Sequence, residues 1–573
     1  MGDFVLYRKN KISENNIKSI LKTLELQGQK NPRIIEDDSY CIISFKKSIS
    51  PITNIYETET GDFCISSGCF FYRGSHGENA LKKFISDFNP NKVSPKHFLG
   101  TFTLIIKKDN KLYLLSDPLG GARIFHDVNQ NIWCSSVLAL AENSPNLTID
   151  RQGVYEYCFQ ETTYGSTTPF NEIKLADSLS FFELQKGGVI SHKKNLPVTF
   201  NPSSASYDEL LYEQATLIKR QMETIVSAYG KNITTALSGG YDSRLLLSLL
   251  IDAGVTPQLY VYGENSSPDV LVAKSIEKGE GLEINHVDKS NHKKPSPDQY
   301  AEIINDNYYG LDGFPFEGIY DFGGNMETRR HRSQNNTMVL NGGGGEIYRN
   351  FFYLPNKAYS VDDLMSVFYH RFTQEFCTEK FDVSEYKRHL KEKIKYALNL
   401  ENEKMSRTQV EYAYPGFRLR YWTSKDFSNS SRLGNFLTPF ISYENIAAAL
   451  QIPLNFKTHG KFQGELINKI SPALASYYSD YGYRFNETVP FKNIIKNNLT
   501  IFRPIWLRKN SYAIQHKLAT FAPPDTLKEN YIKAILPKGV RIMDQYFKID
   551  DIKDPGLLGR VMTLEYMFQK LAL

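Results

Sequence analysis

Residues 233–244 read Ile233-Thr-Thr-Ala-Leu-Ser-Gly-Gly-Tyr-Asp-Ser-Arg244, and a leucine-rich stretch follows them. The β-branched and apolar run at 234–237 predicts a short strand, and residues 243–250 predict the start of a helix. A polar turn with two glycines, at 238–240, separates them. Glycines let the backbone approach a ligand, and the free N–H groups at a helix start attract anions. The stretch therefore predicts an anion site at the end of a strand.

The loop is not a Walker A loop, because that motif needs a lysine after its glycines and none follows here. Its sequence pattern, Ser-Gly-Gly-x-Asp-Ser, resembles the pyrophosphate loop of ATP pyrophosphatases, which split ATP into AMP and pyrophosphate. This resemblance implies that Asp242 holds Mg²⁺, while Ser238, Ser243 and the backbone amides hold the departing pyrophosphate. An ordinary turn capped by Asp and Ser is the alternative. The strand before the loop and the helix after it favour the nucleotide site.

Length and composition limit the number of domains and the classes of partner that we expect. A chain of 573 residues exceeds a single core and predicts at least two domains. A net charge of +5 is mild for this length and favours neither a nucleic-acid partner nor a membrane. The N-terminus has no apolar leader, and the six cysteines are scattered without metal-ligand spacing. We therefore expect a cytoplasmic protein with reduced, buried thiols.

The sequence after the loop continues the alternation of strands and helices. Residues 208–229 predict a helix, and the loop is followed by a strand at 258–263, a helix at 269–278 and a strand at 282–287. This order predicts a parallel sheet with right-handed crossovers. Ligands bind such sheets at the carboxyl ends of the strands. We therefore expect one nucleotide pocket around Leu237, Ser238, Tyr262 and Gly263.

The sequence before the loop has a different character. From Phe4 to about Pro197 it is dominated by short strand-like runs with Gly, Asn and Asp turns, including a hairpin at 107–111. Helices are predicted at 79–88 and 151–159. This part is an α+β unit with antiparallel sheets. A segment rich in Pro, Ser and Asn, at 197–207, predicts a linker to the next unit.

Several segments of this first unit carry a second resemblance. They are Leu99-Gly-Thr-Phe-Thr-Leu-Ile-Ile, Leu-Leu-Ser-Asp117-Pro-Leu-Gly-Gly-Ala-Arg-Ile-Phe125 and Cys134-Ser-Ser-Val-Leu-Ala-Leu. They are similar to the glutamine amidotransferase domain of asparagine synthetases, and with the pyrophosphate loop they resemble the asparagine synthetase-like family over most of the chain. This resemblance implies an Ntn-type amidotransferase-like domain at 1–197. It also implies a synthetase domain at 198–573, with a parallel sheet and a largely helical C-terminal part.

One departure from that family removes an activity. The family's glutaminase uses a cysteine exposed by removal of the initiator Met, but position 2 here is Gly2. Without a thiolate no acyl-enzyme forms, so glutamine hydrolysis by that route is excluded. In this respect the chain resembles β-lactam synthetases and lasso-peptide cyclases, which also lack the cysteine.

A second glycine-rich loop extends the predicted site. Met338-Val-Leu-Asn-Gly-Gly-Gly-Gly-Glu-Ile-Tyr348 is similar to the family loop whose Asp-Glu pair contributes a Mg²⁺ ligand. Only Glu346 remains, with Gly345 where an Asp is expected, so either Glu346 reaches the metal or the metal site is weakened. The residues predicted to contact the nucleotide are Leu237, Ser238, Gly239, Gly240, Asp242, Ser243, Tyr262, Gly263, Gly343 and Gly344, with Asp242 and Glu346 on Mg²⁺.

The catalytic candidates are less sharply defined. The family keeps a lysine that offsets phosphate charge, and the resemblance implies Lys461 for this role, with Lys457 as the alternative. Glu317 and Tyr348 are the candidates for a general base. The aromatic and acidic segment at 305–324 lines a substrate pocket or is an ordinary packed loop. Residues 491–508 are basic, which indicates a solvated face rather than a nucleic-acid site.

The resemblance implies an ATP- and Mg²⁺-dependent ligase or cyclase that adenylates a carboxylate and couples it to an amine. The substrate is a small molecule or peptide carrying these groups, and a homodimer is possible for this class. The alternatives are a non-catalytic relative that retained the fold for binding or regulation, and an asparagine synthetase that uses free ammonia. The reduced acid pair at 345–346 favours the non-catalytic alternative, and Asp242 argues against it.

Overall fold

A computed structural model of the chain describes residues 3–45, 54–288, 290, 293–315, 318–319, 324–508, 510 and 525–573. The first part contains β1 (Phe4–Arg8), α1 (Glu14–Leu26), β2 (Pro32–Glu36), β3 (Tyr40–Phe45), β4 (Ile55–Glu57), β5 (Phe63–Gly68), β6 (Phe71–Tyr72), β7 (Ser75–His76), α2 (Gly77–Asp87), β8 (Phe98–Leu99), β9 (Phe102–Lys108), β10 (Lys111–Ser116), β11 (Phe125–Asp127), β12 (Ile132–Cys134), α3 (Val137–Ala141), α4 (Arg151–Gln160), β13 (Ile173–Leu175), β14 (Ser180–Gln185) and β15 (Gly188–Lys193).

Two six-stranded antiparallel sheets form the centre of this part. Their strand orders are β13-β11-β12-β1-β3-β2 and β15-β14-β10-β9-β5-β4. The sheets pack face to face, because one buried cluster contains Leu6 and Trp133 from the first sheet and Leu114 and Phe182 from the second. Helix α2 covers the outer face of the second sheet, and α1 and α3 cover that of the first. The predicted α+β unit with antiparallel sheets is confirmed.

The second part contains α5 (Tyr207–Tyr229), β16 (Ile233–Ala236), α6 (Tyr241–Asp252), β17 (Gln258–Tyr262), α7 (Pro268–Glu280), β18 (Ile284–Val287), α8 (Pro297–Gly310), α9 (Gly324–Arg332), β19 (Met338–Leu340), β20 (Tyr359–Ser360), α10 (Val361–Phe368), α11 (Val383–Ala397), β21 (Lys404–Met405), α12 (Arg407–Ala413), α13 (Ser424–Leu433), β22 (Asn435–Leu437), α14 (Tyr443–Gln451), α15 (Leu454–Lys457), α16 (Lys461–Ile470), α17 (Pro472–Ala475), α18 (Phe491–Ile501), α19 (Glu529–Ile535) and α20 (Pro555–Lys570). A π-helix spans Tyr414–Thr423. Short 3₁₀ helices span Gly345–Tyr348, Gln374–Phe376, Pro439–Ile441, Thr458–Gly460, Asp525–Leu527, Met543–Gln545 and Ile549–Asp551.

A five-stranded parallel sheet organises the second part, with the order β18-β17-β16-β19-β22. The predicted alternation of strands and helices, and the parallel pairing, are confirmed. Strand β16 lies at the centre, so the loop after it opens at the middle of the carboxyl edge. The C-terminal part, for which the resemblance implies a largely helical structure, also supplies the edge strand of this sheet, because Asn435–Leu437 pairs with β19.

Helix α5 shows why this part folds as the periodicity predicts. Ser206 caps its first turn, and Ser206 and Glu209 form a capping box. Its buried residues recur at helical spacing and end with Met222 and Ile225. This apolar face packs against α6, α14 and α16. The helix therefore ties the centre of the sheet to the C-terminal helices.

The two parts share buried contacts. One apolar cluster runs without a break from β1 and α4 to α12, α16 and α20. Lys393 forms an ion pair of 2.7 Å with Glu156, whose side chain is fully buried. Residues 194–206, which join the two parts, contain no helix or strand. The two parts are therefore packed together rather than loosely linked.

Two further findings concern chemistry outside the sheets. All six cysteines lie in the described part of the chain and are buried thiols outside any disulfide, as the scattered spacing predicted. None of the helices that the structure describes combines the length and the apolar composition needed to cross a bilayer.

Candidate functional site

The loop after β16 is closed onto the first turn of α6 by two serines. The Ser238 amide donates to the Ser243 hydroxyl oxygen at 3.0 Å, and the two hydroxyls are 2.9 Å apart. Helix α6 begins at Tyr241, so the first N–H groups of its N-terminal turn lie beside these hydroxyls. Such groups have no partners within the helix and carry the positive end of its dipole. The predicted strand, glycine loop and helix are confirmed, and their arrangement can bind an anion.

The two glycines of the loop differ in the space available for a side chain. The Gly239 amide donates to Asp269 at 2.7 Å, and a Cβ at Gly239 would lie 2.8 Å from the Cβ of Asp480. Packing therefore requires glycine at this position. A Cβ at Gly240 would come no closer than 3.8 Å to the Ser238 hydroxyl. Packing does not require glycine there, although glycine is favoured at the helix N-cap that Gly240 occupies, and the space beside its backbone is open.

The second glycine loop packs against the first turn of α6. A Cβ at Gly342 would lie 2.9 Å from the backbone carbonyl of Asp242. Gly344 has a φ of +91°, which few other residues adopt. The Gly343 amide donates to Asn341 at 2.7 Å. The structure therefore brings the two glycine loops together, as the sequence led us to expect.

A guanidinium lies where the resemblance implies a metal. Arg349 Nη2 donates to both carboxylate oxygens of Asp242, at 3.2 and 2.9 Å, and lies 3.8 Å from Glu346. Gln463 Nε2 also donates to Asp242, at 2.6 Å. A Cβ at Gly345 would lie 2.3 Å from Asp242 Oδ1. A side chain at position 345 would therefore require the Asp242 carboxylate and the Gln463 amide to move.

The second predicted metal ligand is also engaged. Glu346 Oε2 accepts hydrogen bonds from the Tyr414 hydroxyl at 2.6 Å and from the Gly344 amide at 3.0 Å. Burial raises the pKa of Asp242, the charge of Arg349 opposes this rise, and the charge of Glu346 adds to it. Arg349 therefore stabilises two neighbouring carboxylates that would otherwise repel each other.

These contacts decide whether Mg²⁺ fits. Mg²⁺ takes about six oxygen ligands at about 2.0–2.1 Å, and a protein usually supplies one or two carboxylates with free lone pairs while phosphates and water supply the rest. Both oxygens of Asp242 accept from nitrogen donors, and Arg349 occupies the space between Asp242 and Glu346. Among the residues that the structure describes, no group of three His, Cys, Asp or Glu side chains could hold a metal. The arrangement with Arg349 in place does not fit Mg²⁺.

A cavity of about 450 Å³ opens at the carboxyl edge of the sheet. Tyr262 and Gly263, at the end of β17, line it, as does Asn341 after β19. Strand β16 lies between β17 and β19, so the Ser238 loop begins between these walls. The predicted position of Tyr262 and Gly263 at a pocket is consistent with this geometry. Leu237 is buried and only its backbone is placed at this edge.

Helices α9 and α13 form the opposite wall of this cavity and carry charge. Arg329 forms an ion pair of 2.7 Å with Asp426, and Arg332 donates to the Tyr262 hydroxyl at 3.3 Å. The Arg332 guanidinium also lies 5.4 Å from the centre of the Tyr260 ring. This wall can contact an anionic or aromatic part of a ligand.

The two candidate lysines lie elsewhere. Lys461 Nζ is 4.8 Å from the centre of the Tyr207 ring and lines a second cavity of about 420 Å³. Lys457 is buried and forms an ion pair of 3.0 Å with Glu411. Burial lowers the pKa of Lys457. The structure brings neither lysine to Asp242, and the cation found there is Arg349.

The structure describes one of the two candidates for a general base. Tyr348 is fully buried, and its hydroxyl accepts from Gln214 Nε2 at 2.9 Å between the rings of Phe440 and Phe462. Burial raises the pKa of Tyr348, so it is a core residue without access to a substrate. Glu317 lies outside the described residues.

The residues that the sequence did not indicate are Arg349, Gln463, Asp269, Arg329 and Arg332. Only Arg349 had a usable signal, because it follows Glu346 by three positions, a spacing that places two side chains together on a helical turn. The others come from distant segments.

Comparison with known proteins gives little further guidance. No family model matches the sequence, and no curated protein does either. Two solved structures show remote similarity at 10% identity. The allosteric regulatory enzyme of purine biosynthesis aligns with a TM-score of 0.24, over 41% of this chain and 60% of that one. The glutamine phosphoribosylpyrophosphate amidotransferase from B. subtilis, complexed with ADP and GMP, aligns with a TM-score of 0.25, over 50% and 65%. The chain thus spans less than two thirds of either protein, and similarity this low carries no argument about function.

Proposed function

We propose that the chain is an ATP-dependent amide-bond ligase or cyclase that forms AMP and pyrophosphate and couples a carboxylate to an amine without hydrolysing glutamine. The observation that carries this proposal is Gly240, which stands at the start of α6 where packing does not require glycine. The open space beside this residue allows a ligand to approach the backbone. A phosphate group has the charge and size that a helix start binds.

Under this proposal, the residues of the loop and those around it have different roles. The hydroxyls of Ser238 and Ser243, with the first amides of α6, hold and orient a phosphate group. The cavity at Tyr262 and Gly263 accepts the remainder of the nucleotide or the carboxylate substrate. Arg349 supplies positive charge beside the loop, and guanidinium groups stabilise phosphate oxygens in transition states. Because Mg²⁺ does not fit while Arg349 holds Asp242, no step is assigned to a metal.

One observation favours a second candidate function. The contacts of Arg349 with Asp242 and Glu346 engage both acids that a catalytic metal would need. A relative that kept the fold for binding or regulation has no need for that metal. Under this alternative the loop binds a nucleotide or another phosphate compound, and no amide is formed. Amide formation with free ammonia is a variant of the first proposal and needs the same loop.

Thermal unfolding with ATP tests the proposal, using the wild type and Gly240→Ala. ATP at about 100 times its dissociation constant stabilises a protein by about 2.7 kcal/mol, which a melting curve resolves. We expect ATP to raise the melting temperature of the wild type, and we expect Gly240→Ala to melt as the wild type does but without this response.

Pyrophosphate release from ATP, measured with mixtures of carboxylic acids and amines, separates the two candidates. Release that depends on both a carboxylate and Gly240 supports the ligase. ATP binding without release under any mixture favours the non-catalytic protein. A wild type that ATP does not stabilise would contradict the ligase, and the non-catalytic protein would then have to bind another phosphate compound.

A further inference from the structure

The surface around α18 presents a row of large apolar side chains to solvent. Phe491, Leu499, Phe502 and Trp506 are 75%, 71%, 69% and 66% exposed, and Ile495 is 44% exposed. The first four in sequence, at 491, 495, 499 and 502, follow one another at helical spacing and therefore form one stripe. Single exposed apolar residues are ordinary, but a contiguous stripe of this size marks an interaction site.

A row of positive charge runs beside this stripe. Lys492, Lys496 and Arg503 are exposed, and each follows a member of the apolar stripe by one position. On α18 this offset places Lys492 and Lys496 next to each other along one flank of the stripe, and Arg503 follows just after the helix ends. The surrounding sequence carries only positive charge, because residues 488–524 contain six Lys and Arg and no Asp or Glu. The mild net charge of the whole chain conceals this local excess.

The helix is held with this face outward. Ile501, on the opposite side of α18, is buried. Arg508 is also buried and donates to the carbonyls of Phe352 at 3.1 Å and Ile501 at 3.2 Å. These bonds attach the end of α18 to the body of the protein. The stripe is thus a fixed feature of the surface.

We propose that this face docks on the surface of a membrane that contains anionic phospholipids. We call it the α18 ridge and define it as Phe491, Lys492, Ile495, Lys496, Leu499, Phe502, Arg503 and Trp506. The apolar and aromatic side chains enter the boundary between headgroups and acyl chains, and the cations lie at the level of the lipid phosphates.

The shape and composition of the ridge favour a lipid surface over other partners. The side chains stand out from a convex helix face, which a bilayer accepts without a complementary groove. A nucleic-acid backbone would satisfy the cations but leave Ile495 and Leu499 in water. Phenylalanine, tryptophan and leucine beside lysine and arginine are the composition of helices that lie in the membrane interface.

Trp506 gives a direct readout. The chain has three tryptophans, of which Trp133 is fully buried and Trp506 is 66% exposed. The full chain is mixed with vesicles of phosphatidylcholine, with and without phosphatidylglycerol, and both sedimentation and fluorescence are recorded. We expect sedimentation with the anionic vesicles only, release by added salt, and a blue shift that is absent in Trp506→Phe.

Two triple variants test the two halves of the ridge. Phe491→Ser/Leu499→Ser/Phe502→Ser removes the apolar stripe, and Lys492→Gln/Lys496→Gln/Arg503→Gln removes the cations. Because each cation near an anionic surface adds about 1 kcal/mol, we expect the second variant to bind about a hundredfold more weakly. Leu26→Ser/Ile34→Ser/Leu271→Ser is the matched control, since these residues are 53%, 59% and 56% exposed elsewhere.

Three outcomes would overturn the proposal. One is a wild type that does not bind the anionic vesicles. Another is equal binding by the wild type and both ridge variants. The third is protection of Trp506 from a soluble quencher that rises with protein concentration in the absence of vesicles, because this would assign the ridge to a second copy of the chain.

Discussion

At the scale of single residues, Arg349 changes the chemistry that the loop motif suggests. The Ser-Gly-Gly-x-Asp-Ser motif predicted both the backbone conformation of the loop and a role for Asp242. The motif does not contain the partner of that acid, which stands 107 positions later and meets it at 2.9 Å. A short motif therefore predicts backbone geometry better than it predicts the charge around it.

Arg349→Met is expected to make ATP binding depend on Mg²⁺. The substitution frees the Asp242 oxygens that now accept from Arg349, so that a metal with its ligand phosphates can bind. In the wild type, the rise in melting temperature caused by ATP should be equal in Mg²⁺ and in EDTA. In the variant it should require Mg²⁺. Arg33→Met, which removes an exposed pair with Glu57, is the control. A wild type whose response to ATP already requires the metal would show that Arg349 leaves Asp242 on binding.

Gly239→Ala is expected to destabilise the protein, in contrast to Gly240→Ala. The new methyl group would lie 2.8 Å from Asp480 Cβ and 3.1 Å from its backbone nitrogen, neither of which can move by rotation of a side chain. Overpacking of this kind costs about 1–3 kcal/mol. Urea unfolding of the two variants measures the difference. Equal stability of the two would show that the loop can relax away from Asp480.

At the scale of elements, Asp312 connects the two parts of the chain. Its carboxylate accepts from the amides of Val137 at 3.1 Å and Leu138 at 3.2 Å, at the start of α3. Arg432, from α13, forms an ion pair with it at 3.2 Å. An acid at a helix start complements the free N–H groups and the dipole. Here the acid comes from the second part, so the helix start is completed by tertiary structure.

Asp312→Ala should cost at least about 3 kcal/mol, because it leaves the buried guanidinium of Arg432 and two buried amides without this acceptor. Asp306→Ala, which removes an exposed pair with Arg330 at 2.8 Å, should cost no more than about 1 kcal/mol. Chemical denaturation compares the two variants. A loss at Asp312 no larger than that at Asp306 would mean that water or Asp3 replaces the carboxylate.

Lys425 on α13 predicts a dependence of stability on pH. Its Nζ donates to the Glu161 carbonyl at 2.9 Å, and burial lowers the pKa of Lys425 to about 8. An unfolded lysine keeps its proton to about pH 10.4, so between about pH 8 and 10 the unfolded state binds more protons than the folded state. The free energy of unfolding therefore gains up to about 1.4 kcal/mol per pH unit from this group. Lys425→Met should remove this contribution, and urea unfolding at several pH values measures it. Parallel pH profiles in the two proteins would refute it.

The elements also show what the sequence can and cannot predict. Helix α5 was predictable because its apolar residues repeat at the helical period, and strands β16 and β17 were predictable because they are short runs of β-branched, apolar and aromatic residues. Strand β22 has only three residues, Asn435–Leu437, which are too few for a period. Lys461 and Tyr348 have side chains suited to catalysis, but their directions depend on packing with Tyr207 and Gln214. Distance along the chain, rather than residue type, limited the prediction of the site.

At the scale of the whole molecule, the continuous core should make the chain unfold as one unit. The apolar cluster that spans both parts, and the buried pair of Glu156 with Lys393, would be exposed if either part unfolded alone. We expect calorimetry to show one transition. In the double variant Trp422→Phe/Trp506→Phe, Trp133 between the two antiparallel sheets should report the same midpoint as the far-ultraviolet signal. Two separate transitions would contradict this expectation.

The ion pair between Asp3 and Arg432 has a consequence for the synthesis of the protein on the ribosome. Asp3 is fully buried, with the Ser135 hydroxyl at 2.7 Å and Arg432 at 3.6 Å. Translation adds about 5–20 residues per second, so roughly 20 to 90 seconds separate the synthesis of Asp3 from that of Arg432. During that interval the first strand carries a carboxylate whose cationic partner has not been made. The ion pair that compensates the burial of Asp3 can therefore form only after about three quarters of the sequence has been synthesised.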